Sequence, residues 1–319
     1  MLTFLVDTKW WMLVGVLVAF GLNFLLTAKG QKFLPRDQGR EYAFNGKLSA
    51  GKPRGAGIIF TVVFLVSTLL FIHWDMEILS YLTLILVEML TGYLDDASDK
   101  PWGELKKGLL DFAVAVLTAF TYLHFNPSAV ELALFGTTIV LHPIVFGILT
   151  VVLVWASVNV TNCADGVDGL SGTLTLVTLG SFFALDHVRG VDNNFAQPMT
   201  IFMVCILSYL WFNATPSKLM MGDAGSRAMG IVIAIAALKS HCPLIYLIFA
   251  IVLIVDGGSG LVKVALLRYL KIAILKHTKT PIHDHVRKEK EWSNTQTVFR
   301  FAILQLILNV AVLYAISLL

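Results

Sequence analysis

Long apolar segments recur along nearly the whole chain, and they constrain its fold more than any other feature. A transmembrane helix needs about 20 mostly apolar residues. Hydropathy predicts ten such spans, near 11–28, 56–73, 78–94, 108–123, 139–158, 168–186, 198–214, 226–240, 243–268 and 298–318. They would use roughly 200 positions and leave too few for a separate soluble domain. The sequence therefore predicts an all-α polytopic membrane protein, with residues 1–319 forming one integral membrane domain.

The composition supports this class and excludes others. Hydrophobic residues make up 57% of the chain and charged residues 14%, whereas soluble domains have about 45–50% and about 25%. A net charge of +3 indicates no nucleic-acid partner, and three widely spaced cysteines predict neither a disulfide framework nor a zinc site. The first apolar segment is followed by basic residues and not by a small-residue cleavage site, so a retained span is expected.

The distribution of basic residues predicts the orientation. Loops that join odd to even spans, with their flanking helix ends, hold 21 of the 24 Lys and Arg residues. Because cytoplasmic loops carry the excess of Lys and Arg, these loops are expected in the cytoplasm and both termini outside.

The polar motifs lie on the same side. The five loops there contain "NGKLSAGKPRGAG", "GYLDDASDKPWGELKKG", "NVTNCADGVDGLSG", "WFNATPSKLMMGDAGSRAMG" and "HTKTPIHDHVRKEKEWS". The loops on the other side read as ordinary connections. The sequence therefore predicts an active site in the cytoplasmic loops.

Acidic residues in these loops indicate the chemistry. Asp95 and Asp96 end an apolar helix, where the helix dipole disfavours negative charge. Two carboxylates there imply a compensating cation, either Mg²⁺ or nearby lysines. Asp165, Asp168 and Asp223 add three more carboxylates. Mg²⁺ is held by few carboxylates plus substrate phosphates, so the pattern is typical of phosphoryl transfer.

Two glycine-containing turns and a histidine pair are further candidates. "ADGVDGLSG" and "MGDAGS" each precede an apolar helix, whose N-terminal N–H groups can bind an anion or a carbonyl, although such turns are also common loop punctuation. His283 and His285 could bind a metal or a phosphate. Phosphate is favoured, because Mg²⁺ prefers oxygen ligands.

Three carboxylates fall within predicted spans, and intramembrane charges are functional candidates. For Glu88 and Asp111, a place near a helix end or a pairing across helices is the simpler explanation. Asp256 begins the segment Asp256-Gly257-Gly258, which with Gly260 predicts a break or kink in the long ninth span. Such a bend could open a groove for a lipid substrate, or it could serve helix packing alone.

The ordered motifs resemble those of the polyprenyl-phosphate N-acetylhexosamine-1-phosphate transferases, from about Lys47 to Phe301. The last loop, "KTPIHDHVRKEKEWSNTQTVFRF", is similar to the branch that uses a muramoyl-pentapeptide donor. The resemblance implies transfer of phospho-N-acetylmuramoyl-pentapeptide from UDP to undecaprenyl phosphate, giving lipid I and UMP in peptidoglycan synthesis. It also implies ten spans with both termini outside, Mg²⁺ as cofactor, a location in the bacterial cytoplasmic membrane, and a homodimer as one candidate assembly.

The resemblance also implies roles for individual residues. One residue of the Asp95–Asp96 pair would deprotonate or orient the lipid phosphate, and Asp223 would bind Mg²⁺. The complete catalytic set is Asp95, Asp96, Asp223, His283 and His285. The residues expected to bind substrate are Lys47, Asn162, Asp165, Gly166, Val167, Asp168, Asn213 and Gly222, with Asp168 and its neighbours forming the uracil-binding turn.

Three positions depart from the family pattern. Asp284 stands where the middle histidine of a triple-histidine motif is expected, Lys52 where a threonine is expected, and Met220 where a phenylalanine is expected. Two alternative functions stay open. A sibling enzyme would transfer N-acetylglucosamine-1-phosphate, which the last loop disfavours. A transporter of an anionic solute is disfavoured because the chain lacks repeats and its ionisable residues gather at one face.

Overall fold

Helices dominate the computed structural model, which describes residues 8–37, 39, 49–98, 100 and 102–319. The helices are α1 (Thr8–Gly30), α2 (Gly57–Phe71), α3 (Met76–Asp96), α4 (Glu104–Phe125), α5 (Pro143–Cys163), α6 (Leu170–Arg189), α7 (Ala196–Asn213), α8 (Gly222–Lys239), α9 (Tyr246–Phe249), α10 (Ile251–Ala265), α11 (Ile282–Glu289) and α12 (Asn294–Ser317). Short 3₁₀ segments span Gln31–Phe33 and Pro243–Ile245, and a π-helical turn spans Leu266–Leu270. Each predicted span overlaps one helix, except the ninth, which is divided.

Six of the helical segments are long and apolar enough to cross a membrane, or seven if the bent α9–α10 segment counts as one span. Within the described residues, α2 has only 15 residues, and α8 carries three charged side chains. A polytopic helical membrane fold is therefore supported, while the count of ten spans stays a prediction.

A small hairpin interrupts the helical pattern. Strands β1 (Ala129–Leu132) and β2 (Thr137–Val140) pair in antiparallel register, with Val130 opposite Ile139. The predicted fifth span began at residue 139, inside β2. The helix begins only at Pro143, because His142 caps it through its side chain and proline is well suited to the first helical turn.

The break in the ninth span was predicted at the wrong position. The bend of 86° falls at Ala250, between α9 and α10. Helix α10 runs unbroken through Asp256, Gly257 and Gly258. A side chain at Gly257 would collide with the backbone carbonyl of Val160. These glycines therefore let α10 pack closely on α5 and do not bend the helix.

Helix α8 forms the centre of the molecule, since all of its residues are buried. It packs against α2, α3, α5 and α6. Small residues permit this, because a side chain at Gly92 or Gly57 would collide with the backbone of α8. The outer helices α1 and α12 expose many large apolar side chains, as expected for a surface that faces lipid. The N-terminus of α8 thus lies where the polar loops can surround it.

Candidate functional site

The polar loops meet at one end of the helices, as the sequence predicts. The loop before α2 joins the loop before α8, where the Met220 N–H donates to the Pro53 carbonyl at 2.8 Å. The turn before α6 joins the end of α7, where the Gly169 N–H donates to Asn213 Oδ1 at 2.8 Å. Hydrogen bonds therefore tie together segments that are distant in sequence, at the end of the molecule where α8 begins.

Asp96 holds the N-terminus of α8. Its carboxylate accepts hydrogen bonds from the backbone N–H groups of Asp223 and Ala224, both at 3.1 Å, and pairs with Arg54 Nε at 2.8 Å. Its side chain has no exposed surface. Gly222 has φ +67°, and a side chain there would collide with the Asp96 carboxylate. Gly222, predicted to bind substrate, thus makes room for Asp96.

Two cationic side chains compensate the charges of Asp95, Asp96 and Asp223, which together form the acidic cluster. Lys107 Nζ pairs with Asp95 and, at 3.1 Å, with Asp223 Oδ2. Arg54 Nη2 lies 3.3 Å from Asp223 Oδ1. Burial alone would lower the pKa of Arg54, but the carboxylates of Asp96 and Asp223 outweigh it and hold that pKa above its usual value. The compensating cation that the helix-end argument requires is therefore present as two side chains.

Arg54 was not singled out from the sequence, although it belongs to the "KPRGAG" run. Lys107 was counted only among the basic loop residues. A basic residue next to a glycine-rich run, on the side of the acidic motifs, was the available signal. Its carboxylate partners become known only once the chain is folded.

The donor set suits Mg²⁺ in its chemistry. Asp95, Asp96 and Asp223 bring hard carboxylate oxygens together, and the side chain of Asp223 is the most exposed of the three at 10%. Across the described ranges, no group of three or more His, Cys, Asp or Glu side chains is arranged to hold a metal ion. A magnesium ion here would take few protein ligands and complete its shell with phosphate oxygens and water, as Mg²⁺ commonly does. The residues fit that role.

The predicted uracil-binding turn lies beside the cluster. Asp168 Oδ2 accepts the Ser217 N–H at 3.3 Å and lies 3.9 Å from Lys52 Nζ. Lys52 Nζ also donates to Ser217 Oγ at 3.0 Å. The Asp168 side chain keeps 23% of its surface exposed, so it is accessible to a ligand. Lys52, which departs from the family pattern, therefore contacts the residue expected to recognise uracil.

Two other residues that were predicted to bind substrate connect this turn to neighbouring helices through hydrogen bonds. Asn213 uses both ends of its side-chain amide: Oδ1 accepts the Gly169 N–H, and Nδ2 donates to the Leu219 carbonyl at 2.9 Å. Asn162 Nδ2 donates to Ser226 Oγ at 3.0 Å, which links the turn to α8. Asp165 is half-buried, Val167 buried and Gly166 exposed. Lys47 lies outside the described residues.

The last loop packs under the same turn. His283 is 3% exposed, and its N–H and Nδ1 lie 2.7 and 2.8 Å from the two oxygens of Asp256. A side chain at Gly166 would collide with the His283 ring. Arg287 Nη1 donates to the Gly166 carbonyl at 3.0 Å, and burial lowers the pKa of Arg287. The structure thus brings His283 to the predicted uracil-binding turn.

His285 lies apart from these contacts. Its Nδ1 accepts the Lys279 N–H at 3.4 Å, on the other side of α11. The structure therefore brings Asp95, Asp96 and Asp223 into one cluster and His283 against the turn that carries Asp168, while the half-buried His285 remains at the rim.

Glu88 on α3 and Asp111 on α4 both pair with Arg227 on α8, so the simpler explanation, a pairing across helices, applies to them. Arg227 Nη1 on α8 lies 2.6 Å from Asp111 Oδ1 and 3.8 Å from Glu88 Oε1. Arg227 was counted only as a loop cation from the sequence, because it follows the "MGDAGS" motif directly. No sequence signal pointed to its pairing.

Comparisons with known proteins agree with this arrangement. The family described as glycosyl transferase family 4 matches residues 78–241. The chain is 39% identical, over 94% of its length and 88% of the relative, to a phospho-N-acetylmuramoyl-pentapeptide-transferase from Treponema pallidum (strain Nichols). Proteins of the same name match at 26% identity from Wolbachia pipientis wMel (81% and 82% covered) and Thermoanaerobacter pseudethanolicus (96% and 100%).

Proposed function

Because the chain belongs to the phospho-N-acetylmuramoyl-pentapeptide-transferases of glycosyl transferase family 4, we propose that it makes lipid I for peptidoglycan synthesis. An oxygen of undecaprenyl phosphate attacks the sugar-linked phosphorus of UDP-N-acetylmuramoyl-pentapeptide. A new P–O bond forms, the bond from that phosphorus to the bridging oxygen breaks, and UMP leaves. Both reactants are anionic, so the site must bring negative charges together.

One observation carries the proposal: three carboxylates and two cations meet beside a turn that keeps an accessible aspartate. Arg54 and Lys107 are the cations available to the donor diphosphate. In phosphoryl transfer the protein mainly positions its reactants and neutralises charge. This cluster suits that task.

The contacts of the adjacent aspartates support different roles for them. Asp96 is engaged by two backbone N–H groups and Arg54, so it anchors α8. Asp95 is bound by Lys107 and by the Trp102 N–H. If Lys107 binds the donor diphosphate, Asp95 loses its ion pair with Lys107. Its carboxylate is then available to orient or deprotonate the lipid phosphate.

Asp223 is the residue that would hold Mg²⁺, which when bound neutralises charge on the diphosphate. Asp168 accepts a hydrogen bond from the uracil N3–H, within the turn formed by Gly166 and Val167. His283 supports that turn through its contact with Asp256. His285 contacts phosphate from the rim.

The proposed setting is the bacterial cytoplasmic membrane. Ten spans with both termini outside place the cluster at the cytoplasmic face, where the basic loops lie. A cysteine introduced at Gly103, near the cluster, should resist an impermeant maleimide in intact cells. A cysteine introduced at Asp192, in the loop after α6, should react, with the unmodified chain as background. The reverse pattern would contradict the orientation. A homodimer is the proposed assembly, and the purified protein in detergent should have the mass of two chains.

Release of UMP tests the reaction. The purified protein should release UMP when undecaprenyl phosphate and UDP-N-acetylmuramoyl-pentapeptide are both present with Mg²⁺, and a chelator should stop it. Release only with UDP-N-acetylglucosamine would assign the sibling activity. A protein that releases no UMP but moves an anionic solute into vesicles would be a transporter.

A further inference from the structure

Six charged side chains form two stacked layers between α3, α4 and α8. The active-site layer consists of Asp95, Lys107 and Asp223, and the inner layer consists of Glu88, Asp111 and Arg227. Each of the three helices contributes one residue to each layer. The spacing is four residues on α4 and α8 and seven on α3, which corresponds to about one and two helical turns.

The charges alternate between helices α4 and α8. In the active-site layer α4 supplies the cation and α8 the carboxylate, through Lys107 and Asp223. In the inner layer α4 supplies the carboxylate and α8 the cation, because Asp111 Oδ1 lies 2.6 Å from Arg227 Nη1. Arg227 Nε also lies 3.9 Å from Asp223 Oδ2, so the guanidinium joins the two layers.

The inner layer is closed to solvent, with all three side chains at most 4% exposed. Asn159 Nδ2 donates to Asp111 Oδ2 at 3.1 Å, which fixes the second oxygen of that carboxylate. Arg227 is thus held in a fixed orientation by buried partners, and a guanidinium is rigid and planar. Ions buried in this way are costly unless paired. The arrangement therefore has a single favourable register between α8 and its neighbours.

We propose that Arg227 is a positioning residue for the reaction: it fixes the register of α8 against α3 and α4, and so sets the place of Asp223 against Lys107. The inference rests on the proposed function. In metal sites, outer partners that orient a ligand carboxylate typically affect activity by about 10–100-fold, and Arg227 would stand in that relation to Asp223. We therefore expect loss of Arg227 to lower kcat at least about tenfold while the KM for each substrate changes little.

A neutral variant separates positioning from stability. Arg227→Met alone leaves Glu88 and Asp111 buried without their cation and should destabilise the protein strongly. The triple variant Glu88→Met, Asp111→Leu, Arg227→Met removes all the inner charges, and apolar replacement of a buried ion cluster is often neutral for stability. We expect its Tm to return close to that of the unmodified protein while kcat stays at least about tenfold lower. A kcat restored together with the Tm would overturn the inference.

Arg227→Lys is the second variant. It keeps the charge but loses the planar fork, so it should fold even if the triple variant does not. We expect a kcat between those of the unmodified protein and Arg227→Met. An unchanged kcat in Arg227→Lys would also overturn the inference.

The outer end of the same helices provides a matched control. There Lys239 on α8 pairs with both oxygens of Glu77 on α3, at 2.9 Å each. The double variant Glu77→Met, Lys239→Met removes a buried ion pair far from the cluster, so kcat should stay as it was. An equal loss of kcat in this control would mean that activity reports helix packing in general.

A structure of the triple variant tests the inference without activity. We expect the Lys107 Nζ to Asp223 Oδ2 distance to exceed the 3.1 Å found here by more than about an ångström, beyond hydrogen-bond range. An unchanged contact would overturn the inference even if the unmodified protein released no UMP. Absence of UMP release from the unmodified protein would count against the proposed function instead.

Discussion

Replacing Asp96 by alanine should mainly lower the stability of the folded protein, and its effect on kcat should be smaller than that of replacing Asp95. The carboxylate accepts two backbone N–H groups at the N-terminus of α8 and pairs with Arg54. An orphaned buried donor costs about 1–3 kcal/mol, and breaking a buried ion pair from one side costs about 3–5 kcal/mol. These terms overlap, so we expect a loss of about 3–5 kcal/mol. At about 2–4 °C per kcal/mol, Tm should fall on the order of 10 °C.

Thermal unfolding in detergent measures this loss, and UMP release below the unfolding transition measures activity. Asp95→Ala is the comparison, because it removes the acceptor of one backbone N–H, that of Trp102, and leaves Lys107 paired with Asp223. Its Tm should fall less than that of Asp96→Ala, whereas its kcat should fall more. If Asp96→Ala lost activity while its Tm stayed within about 2 °C of the unmodified protein, the anchoring role would be refuted.

A pair of glycine variants tests the same contact without removing the carboxylate. Gly222 and Gly190 both have positive φ, +67° and +63°, and both would strain an alanine backbone. Only at Gly222 would the added side chain collide with Asp96, since nothing lies within 4 Å of the one at Gly190. Gly222→Ala should therefore destabilise more than Gly190→Ala, and equal effects would show that backbone strain alone is responsible.

Three further outcomes are expected. Asp223→Asn should lower turnover at least about a hundredfold, the scale of losing one strong electrostatic stabiliser, and near-normal UMP release would contradict its role. Asp168→Ala should weaken UMP binding in calorimetry, because a site built to pair a polar edge depends on that partner; unchanged binding would place uracil at another loop. Gly257→Leu should lower Tm, because even its Cβ would collide with the Val160 carbonyl, whereas the Cβ of Gly260→Leu would meet Thr280 and Pro281 at ordinary distances. If a lipid groove runs past Gly260 although the bend lies at Ala250, Gly260→Leu should raise the KM for undecaprenyl phosphate alone; equal effects on both substrates would contradict such a groove.

The sequence predicted the helices well, because length and apolar content are local properties. The spans expected at 168–186 and 198–214 correspond to Leu170–Arg189 and Ala196–Asn213. The convergence of the polar loops was also predicted, since the positive-inside bias assigns every loop to a side. Both inferences need no knowledge of which helices touch.

The bend in the ninth span shows where local reasoning failed. Glycines favour a break in an isolated helix, but Gly257 lies against the Val160 carbonyl, where any side chain would collide. The bend occurs at Ala250, between two apolar residues that carry no helix-breaking signal. A glycine serves packing or bending according to its neighbours in space, and the sequence does not contain that information.

The different surroundings of Asp95 and Asp96 have the same origin. Consecutive residues on an α-helix point about 100° apart, because the helix has 3.6 residues per turn. Asp96 therefore meets the N-terminus of α8 and Arg54, whereas Asp95 meets Lys107 and the loop that precedes α4. The unfavourable helix dipole at this end requires compensating cations for both residues, and both residues have one. Which cation pairs with which carboxylate depends on the rotation of α3 about its axis. The close contact between Gly92 and the backbone of α8 constrains that rotation, because only a residue without a side chain fits there.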